Sequence, residues 1–420
     1  MNAPEPVNAL TLSNAWSEDL DLTELVRSGL ADLPVGTIDV VAIGKASVEM
    51  TRAVNEVLGG RLSRQLVVSN TQVDDHDQSA AEVWVGDHPV PGPASLAAGH
   101  RLVEFLATPG EATTTLFLVS GGASSLCVAP AAPMGLSDLA EVWRLALEAG
   151  LDITQLNQLR ASTSLIAGGA VLRSVRTPCS TTLVMVDNVI SGAPWVASGL
   201  TYEYAPSGEE FELSLEMISP ASGALTAAMR GAYERRAQVM AEPVPNHHDN
   251  AVIAEPAMML ERTVEAAHRA GYRVESLGAD LHGDVETVVG EWGRRLRDAT
   301  RESSPLCLVG VGEVTVRVSG TGRGGRCQEF AWRMAPLLAS LGRPAMFVAR
   351  ASDGRDFVEG VAGAWTDSRS IAHARELGLD WDDVAARHDT GSALASLGQL
   401  LEGVHSGWNL CDLYLCLVGA

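Results

Sequence analysis

Short apolar runs of strand length alternate with longer amphipathic stretches along this chain. In the first half, the apolar runs predict strands at 38–43, 64–69, 83–85, 113–119 and 181–186. Apolar residues spaced three and four positions apart predict helices at 15–33, 48–58, 96–106, 156–169 and 223–240. Strands and helices that alternate at this spacing are typical of a parallel, doubly wound sheet.

A second block of alternating elements follows a proline-rich break. Residues 242–246 contain two prolines, which interrupt helix and strand alike, and the pattern restarts at Val252. Beyond it, strands are predicted at 272–277, 306–311, 313–318, 345–349 and in the last run before Val418, with helices at 257–270, 285–300, 328–340 and 367–376. Because 420 residues are too many for one ordinary core, we predict two domains, residues 1–241 and residues 247–420.

The overall charge excludes some classes of partner. The formal net charge is −22 at pH 7, and a surface of this sign repels nucleic acid and anionic membranes at long range. No apolar run reaches the roughly 18 residues of a membrane span, and residues 1–14 lack the pattern of a signal peptide. The six cysteines are scattered without metal-ligand spacing, as in reduced proteins. We therefore expect a cytoplasmic protein that binds neither nucleic acid nor membrane.

One cation stands apart in the composition. The chain has 30 lysine and arginine residues, and only Lys45 among them is a lysine. Lys45 lies in the turn Gly44-Lys45-Ala46-Ser47, between a predicted strand and a predicted helix. A compact, flexible ammonium has properties that arginine cannot imitate, so we interpret Lys45 as a functional residue. The alternative is chance survival of one lysine in an arginine-rich composition.

Several polar loops have the composition of anion-binding sites. The stretch 318–330 contains Gly320, Gly322, Gly324 and Gly325, which are free to adopt φ > 0, and then Arg326 and a predicted helix. Backbone N–H groups, a helix N-terminus and arginine together predict a cradle for phosphate or carboxylate; a glycine-rich hairpin is the alternative.

Two further segments share this character. Ser120-Gly121-Gly122-Ala-Ser124 follows a buried strand and is interpreted as a polar nest, with a tight strand–helix turn as the alternative. Asn157 and Arg160 share one helix face. In the proline-rich loop 86–93, Ser95 is expected to cap the next helix, and His88 is interpreted as structural.

Together these residues form a set suited to phosphoryl transfer. Lysine, arginine and backbone N–H donors spread the charge of a transferred phosphoryl group. Carboxylates such as Asp187, Asp353 and Asp356 hold Mg²⁺ or accept the proton of the acceptor hydroxyl. A phosphatase or a sugar-phosphate isomerase could use the same residues, so the residues alone leave these alternatives open.

The loops also resemble, in order and over nearly the whole chain, the glycerate 2-kinases of the MOFRL family. The matching segments are Ile43-Gly-Lys-Ala-Ser47, His88-Pro-Val-Pro91 with Ser95, Ser120-Gly-Gly-Ala-Ser124, Asn157-x-x-Arg160, Ala197-Ser-Gly199, Gly312-Glu313, Gly324-Gly-Arg326, Gln328-Glu329, Ser352-Asp-Gly354, Ala362-Gly-Ala364 and Gly407-x-Asn409-x-x-Asp412. The resemblance implies a Rossmann-like, doubly wound N-terminal domain, a mixed α/β C-terminal domain of the MOFRL type, and a site in the cleft between them.

The same resemblance implies an activity and a set of site residues. The activity is ATP- and Mg²⁺-dependent phosphorylation of D-glycerate, or a related small hydroxy acid, at its 2-hydroxyl; a homodimer is an open alternative to a monomer. The catalytic residues are then Lys45, Arg326 and Asp187. Substrate or phosphate binding falls to Ser120, Gly121, Gly122, Ser124, Asn157, Arg160, Gly324, Gly325, Glu329 and Asp353. Asp187 and Asp353 are the candidate metal ligands.

This chain departs from the family pattern at several polar positions. The family's Lys-Gly-Gly is Ala167-Gly168-Gly169 here, its Gly-Asp is Ile190-Ser191, and its Asp-Gly-x-Asp-Gly ends in Phe357. Losing one positioned cation or carboxylate commonly costs about 10²- to 10³-fold in rate. Two alternatives follow: a repurposed homologue, with residues such as Cys327 or Arg355 facing the cleft, or a non-catalytic binding or regulatory protein.

Overall fold

A computed structural model describes residues 6–18, 20–72, 81–108, 110–190, 192–218, 221–404 and 406–419. The chain forms two compact units. The N-terminal unit comprises Asp21–Val186 and Ile190–Ala254, and the C-terminal unit comprises Met1–Leu20, Asp187–Val189 and Glu255–Ala420. These bounds differ from the predicted 1–241 and 247–420, because residues 247–254 belong to the N-terminal unit, whereas residues 1–20 and 187–189 belong to the C-terminal unit. The predicted cleft stays a prediction.

The first part of the chain builds a sheet of six strands. The helices are α1 (Pro6–Asn14), α2 (Leu22–Gly29), α3 (Ser47–Leu58), α4 (Pro93–Ala107), α5 (Ala123–Leu126), α6 (Leu136–Glu148), α7 (Ile153–Thr163), α8 (Gly208–Met217) and α9 (Gly223–Ala241). The strands are β1 (Ile38–Ile43), β2 (Leu62–Ser69), β3 (Ala81–Val85), β4 (Thr114–Val119), β5 (Cys179–Met185) and β6 (His247–Ala254).

All neighbouring strands of this sheet are parallel, in the order β3-β2-β1-β4-β5-β6. Every residue of β1 and β4 is buried, which is why these strands are continuous apolar runs in the sequence. The predicted doubly wound sheet is therefore confirmed. The strand order reverses between β1 and β4, because β2 and β3 are added on one side of β1 whereas β4, β5 and β6 are added on the other. In open α/β sheets such a point is where ligands bind.

Two sequence predictions for this part of the chain were wrong. Within the range 15–33, where one long helix was expected, only Leu22–Gly29 is helical, and α1 ends at Asn14, before that range. Helix α2 begins after Asp21, whose carboxylate accepts a hydrogen bond from Thr23 N at 2.8 Å. The predicted linker 242–246 instead leads from α9 into β6 within one unit. Strand β6 pairs on one side only, with β5, so its polar first half stays partly exposed and lacks the apolar signal of a buried strand.

The second part of the chain forms a mixed sheet. Its helices are α10 (Pro256–Arg269), α11 (Val285–Ala299), α12 (Arg326–Ser340), α13 (Ser370–Glu376), α14 (Trp381–Arg387) and α15 (Thr390–Leu397). Its strands are β7 (Arg273–Ser276), β8 (Leu281–Asp284), β9 (Leu306–Thr315), β10 (Ala345–Ala351), β11 (Val361–Asp367), β12 (Leu400–Glu402) and β13 (Asp412–Val418). The two strands expected at 306–311 and 313–318 are one strand, β9.

This sheet has the order β12-β11-β10-β13-β9-β7, with β8 also paired to β9. The pairs among β9 to β13 are antiparallel, whereas β7 and β8 run parallel to β9. The predicted mixed α/β character of the C-terminal domain is confirmed. Among the described residues, no helix is long and apolar enough to cross a bilayer.

Helix α12 is held on the second sheet by an aromatic core. Phe330 of α12 has its ring centroid 4.8 Å from that of Phe347, 4.9 Å from that of Tyr414 and 5.8 Å from that of Trp292, and all four side chains are buried. Each such side chain contributes about 1.5–3 kcal/mol by leaving water. This packing fixes the start of α12, where Arg326 lies.

Candidate functional site

The turns that follow β1 and β4 are hydrogen-bonded to each other at the reversal point of the first sheet. Ser120 N donates to Ile43 O at 3.1 Å, Lys45 N donates to Gly121 O at 2.8 Å, and Ala46 N donates to Ser120 Oγ at 3.1 Å. Gly44 has φ +131°, and a Cβ at this position would lie 2.2 Å from Ser120 Oγ. The structure therefore brings together Lys45, Ser120 and Gly121, three of the predicted site residues.

Lys45 is exposed and lies beside Gly122 and His88. A Cβ on Gly122, whose φ is +79°, would lie 3.1 Å from Lys45 Cγ and 3.4 Å from His88 Cδ2. Within the described ranges Lys45 makes no ion pair. Burial and the Lys45 charge lower the pKa of His88 from its ordinary value, which keeps this imidazole neutral at neutral pH. Lys45 is thus an available cation next to a neutral histidine.

The loop that presents His88 is fixed by Asp87 and Ser95. The Asp87 carboxylate accepts hydrogen bonds from Ala94 N at 2.9 Å and Ser95 N at 3.2 Å, while Ser95 Oγ accepts one from Asp87 N at 2.9 Å. The N-cap of α4 is Gly92, and Ser95 is the third helical residue, whose Oγ accepts from Gly92 N at 3.4 Å. Ser95 therefore takes part in capping this helix, as predicted, but from inside its first turn. Ser95 lies one turn inside the helix and braces the loop from there.

A second group of polar side chains lies in the same unit. Ser124 Oγ lies 2.7 Å from Ser198 Oγ, which donates to Asn157 Oδ1 at 2.9 Å. Arg160 Nη1 donates to the same Asn157 oxygen at 3.2 Å. The guanidinium carbon of Arg160 lies 3.9 Å from the centroid of the Trp143 ring, a cation–π arrangement. The predicted residues Ser124, Asn157 and Arg160 therefore form one group, which Ser198 joins.

Ser124, Arg160 and Ser198, but not Asn157, line a pocket with an empty volume of about 500 Å³, part of it open to solvent. Ala167 also lines it, at the position where the family pattern has lysine. Burial lowers the pKa of Arg160 to about 10, so this side chain stays charged at neutral pH. The Arg160 Nε atom is buried without a hydrogen-bond partner. Among the described residues that line this pocket, Arg160 is therefore the cation.

In the C-terminal unit, Arg326 is held by two carboxylates. Its Nε donates to Asp412 Oδ2 at 2.6 Å and its Nη2 to Asp412 Oδ1 at 3.0 Å, while Nη1 pairs with Glu313 Oε1. The Tyr414 hydroxyl donates a hydrogen bond to Asp412 Oδ2 at 3.0 Å. Burial opposes the Arg326 charge, but the two carboxylates outweigh it and raise the pKa of Arg326 above its ordinary value. Three elements, β9, α12 and β13, thus converge on this guanidinium.

Arg326 retains some capacity to bind another anion. A guanidinium has five N–H donors, and three of those of Arg326 are used by Asp412 and Glu313. About a third of the side chain, 32%, is exposed. By contrast, Glu329 is buried and bound internally: its Oε1 accepts from Arg333 Nε at 2.8 Å and lies 3.2 Å from His388 Nδ1. The predicted role of Glu329 in substrate binding stays a prediction.

The four glycines of the 318–325 stretch serve close packing. None of them adopts φ > 0, so the predicted reason for glycine was wrong. A Cβ would lie 2.3 Å from Arg387 O at Gly320, 2.5 Å from the same oxygen at Gly322, and 2.2 Å from the Asp356 carboxylate at Gly325. Gly322 N also donates to Arg387 O at 2.9 Å. These contacts leave no room for a side chain.

The first turn of α12 is capped by a carboxylate of the chain itself. Asp356 accepts hydrogen bonds from Cys327 N at 3.1 Å and Gln328 N at 2.9 Å. Burial and the charge of Asp412 raise the pKa of Asp356 to about 6. These two N–H groups of the predicted anion cradle are therefore already occupied. The roles of Gly324 and Gly325 in phosphate binding stay predictions.

Asp187 and Asp353 lie in the C-terminal unit. The carbonyl of Asp187 accepts from Cys411 Sγ at 3.1 Å, and the carboxylate of Asp353 accepts from Arg355 N at 2.9 Å. In the described part of the chain, no three histidine, cysteine, aspartate or glutamate side chains are grouped as a metal site requires. Ile190 is 53% exposed, and Ser191 lies outside the described residues.

Sequence reasoning missed several members of these groups. Asp356 was assigned to metal or proton chemistry, although a carboxylate close in space to a helix start is the usual signature of a cap. Ser198 and Asp412 were noted only within family motifs. His88 was interpreted as structural, and its place beside Lys45 depends on the contact between two loops. No local pattern in the sequence could have identified these pairings.

The fold and these polar groups define a two-unit α/β protein with an available cation at the reversal point of its parallel sheet. The chain belongs to the family described as domain of unknown function DUF4147, whose model matches residues 5–228, and the MOFRL family model matches residues 306–412. The resemblance found in the motifs is confirmed.

Individual proteins of known name or structure are similar over almost the whole chain. A glycerate 2-kinase of Pyrococcus horikoshii is 27% identical over 100% of this chain and 94% of that protein. A protein of Agrobacterium vitis, provisionally named hydroxypyruvate reductase, is 27% identical over 92% of this chain and 100% of its own. The crystal structure of a glycerate kinase from Thermotoga maritima has a TM-score of 0.84 at 24% identity and covers 98% of both chains, which confirms the fold.

Proposed function

We propose that this protein transfers a phosphoryl group from ATP to the 2-hydroxyl of D-glycerate or a related small hydroxy acid. The family membership and the glycerate kinases among its relatives support this reaction. The observation that carries the proposal is Lys45. It is the one lysine of the chain, it is exposed and without an ion pair in the described residues, and it lies where an open parallel sheet places its ligand.

Different described residues are proposed to bind the phosphoryl group and the carboxylate of the acid. Lys45 stabilises the charge that develops on the transferred phosphoryl group, and the backbone N–H groups of Gly121 and Gly122 support anionic oxygens next to it, whereas Ser120 N donates to Ile43 O. In the C-terminal unit, the two N–H donors of Arg326 that Asp412 and Glu313 leave unused are suited to an anionic oxygen of a ligand. In the pocket lined by Arg160 and Ala167, Arg160 and Ser124 hold the carboxylate of the hydroxy acid, and Asn157 supports them by accepting hydrogen bonds from Arg160 and Ser198.

A bound Mg²⁺ would be coordinated by a carboxylate of this chain together with phosphate oxygens of the nucleotide. Mg²⁺ is commonly held by only one or two carboxylates and by substrate oxygens. A magnesium site therefore does not require a cluster of three acidic, histidine or cysteine side chains, which the described residues lack. Asp187 and Asp353 would supply these oxygens, and the ion would neutralise phosphate charge. Asp187 is the proposed acceptor of the proton from the 2-hydroxyl.

The turn after β1 does not support a reductase activity, which the name of the Agrobacterium vitis relative suggests. Dinucleotide-binding sheets carry Gly-x-Gly-x-x-Gly after the first strand, whereas this chain has Gly44-Lys-Ala-Ser-Val-Glu49. A repurposed site built on Cys327 is also disfavoured, because Cys327 is fully buried and burial raises the pKa of its thiol well above its ordinary value.

The test is ADP formation by the purified protein with ATP, Mg²⁺ and D-glycerate, followed by ³¹P NMR of the product. Wild-type protein should form a 2-phosphorylated acid. Lys45→Met should lower kcat by at least about 10²-fold, and Lys45→Arg should also lose most activity because a guanidinium differs in shape and hydration. Circular dichroism of the variants controls for folding. Full turnover in Lys45→Met would refute the assignment, and a folded wild-type protein that phosphorylates no hydroxy acid would favour a non-kinase homologue.

A further inference from the structure

We infer that the preferred acid carries an apolar substituent in place of the hydroxymethyl group of glycerate, and that this substituent occupies the pocket between Arg160 and Ala167. The inference rests on the proposed function for the reaction, but the binding preference is a separate property. It names the class of substrate as 2-hydroxy acids with a short aliphatic side chain.

The polar end of the pocket is suited to one carboxylate. Arg160 is the only cation that lines it, among the described residues, and it has no acidic partner there. Its Nε is buried without a hydrogen-bond partner, a costly state that a ligand carboxylate would relieve. Trp143 and Asn157 fix the plane of the guanidinium, so a carboxylate can meet it in the bidentate manner.

The remainder of the pocket is mostly apolar. Its lining includes Ile43, Cys127, Val128, Leu139, Ile166 and Leu200. The hydroxyls that also line the pocket have partners in the chain: Thr163 donates to Leu159 O, Ser198 donates to Asn157 Oδ1 and lies 2.7 Å from Ser124 Oγ, and Ser164 Oγ accepts from Ala167 N. The apolar side chains offer no hydrogen bond to the 3-hydroxyl of glycerate, whose burial against them would cost free energy. Methyl and methylene groups would gain from the same surface, about three- to fourfold in affinity for each fully buried methylene.

Ala167 is the residue that makes this end of the pocket apolar. It is 6% exposed, and its N–H donates to Ser164 Oγ at 3.2 Å, which holds its backbone in place. The family pattern has lysine at this position, and a lysine would bring a donor and a second charge into the pocket. Ala167 instead adds a methyl group, without a donor or a charge, to the apolar lining of the pocket.

Calorimetric titration without nucleotide tests the inference. The probes are D-glycerate, D-lactate, D-2-hydroxyisovalerate and D-2-hydroxyisocaproate. Affinity should rise with the apolar chain, and D-2-hydroxyisocaproate should bind at least about tenfold more tightly than D-glycerate. Equal or tighter binding of D-glycerate would overturn the inference.

Three variants locate the effect. Arg160→Leu should weaken every acid at least about tenfold, and unchanged binding would show that the carboxylate lies elsewhere. Ala167→Lys should reduce or reverse the preference, whereas Ala167→Met, which adds similar bulk without charge, should weaken the longer acids without improving D-glycerate. If Ala167→Lys does not fold, the wild-type series and Arg160→Leu still decide.

Phosphorylation of the same acids separates the two proposals. If the apolar acids bind tightly but no ADP forms with Mg²⁺ and ATP, the proposed kinase reaction fails and the binding inference stands. If D-glycerate is phosphorylated and the apolar acids do not bind, the binding inference fails and the kinase proposal stands.

Discussion

Arg326 and Asp412 form a forked ion pair, with Nε 2.6 Å from Oδ2 and Nη2 3.0 Å from Oδ1, although 86 positions separate them in sequence. Asp412 is fully buried, and Tyr414 and the backbone of β13 complete its surroundings. The pair therefore holds the start of α12 against β13. It also means that the charge of Arg326 is largely balanced, which leaves Lys45 as the more available cation.

Loss of this pair should destabilise the C-terminal unit. Arg326→Met leaves Asp412 buried without its counterion, and we expect the free energy of unfolding to fall by about 3 kcal/mol. Urea unfolding followed by tryptophan fluorescence measures the change. The double variant Arg326→Met with Asp412→Asn should be destabilised by less than the sum of the two single variants. Additive effects would show that the two side chains do not act as a pair.

Asp356 should make stability fall as pH rises. Its pKa is about 6 in the folded protein and near 3.8 when unfolded, so between these values the folded state binds the extra proton. The free energy of unfolding should therefore decrease from about pH 4 to about pH 6 by about 2–3 kcal/mol from this group alone, and not beyond.

The matched variant is Asp356→Asn, which cannot ionise. The free energy of unfolding is measured with urea at pH 4.5 and pH 7.5. Relative to wild type, the variant should be more stable at pH 7.5 than at pH 4.5. An unchanged difference between wild type and variant at the two pH values would mean that Asp356 does not titrate as described.

His88 should report the charge of Lys45. Burial and the Lys45 ammonium both lower the pKa of His88, with burial the larger cause. In Lys45→Met the pKa should rise but remain below the ordinary value, because the burial persists. NMR titration of the His88 ring protons measures both values. No change in the variant would place the Lys45 ammonium away from His88.

Phe357 should be a site of backbone strain. Its φ is +62°, its side chain is 76% exposed, and the family pattern has glycine at this position. Phe357→Gly removes the left-handed strain of a side-chain-bearing residue and should raise the free energy of unfolding by about 1 kcal/mol. Phe357→Ala is the control: it removes the ring but keeps Cβ, so it should bring no comparable gain. Equal stability of the glycine and alanine variants would contradict the argument.

Much of the local structure follows from the sequence because strands and helices leave periodic patterns. Strand β1 was predicted at its observed bounds, and the helix beginning at Arg326 within two residues. The edge strand β6 was missed because its polar first half is partly exposed. The glycines before α12 were given the wrong reason because their packing partners are distant in sequence, in the segment 387–391 and, for Gly325, at Asp356. The spacing of hydrophobic residues along a segment predicts its secondary structure, but it does not show which other segment packs against it.

By itself, the sequence determined that the chain is a two-domain α/β protein with its one lysine in a turn after a buried strand. Only the tertiary structure decided that Lys45 meets Gly122 and His88, that Arg326 is balanced by Asp412 and Glu313, and that Ala167 lines the same pocket as Arg160. The physical reason is that polar side chains are paired across elements distant in sequence, and packing of the whole sheet selects those pairs. A pattern along the chain records which residues are buried, whereas the fold alone records what each one contacts.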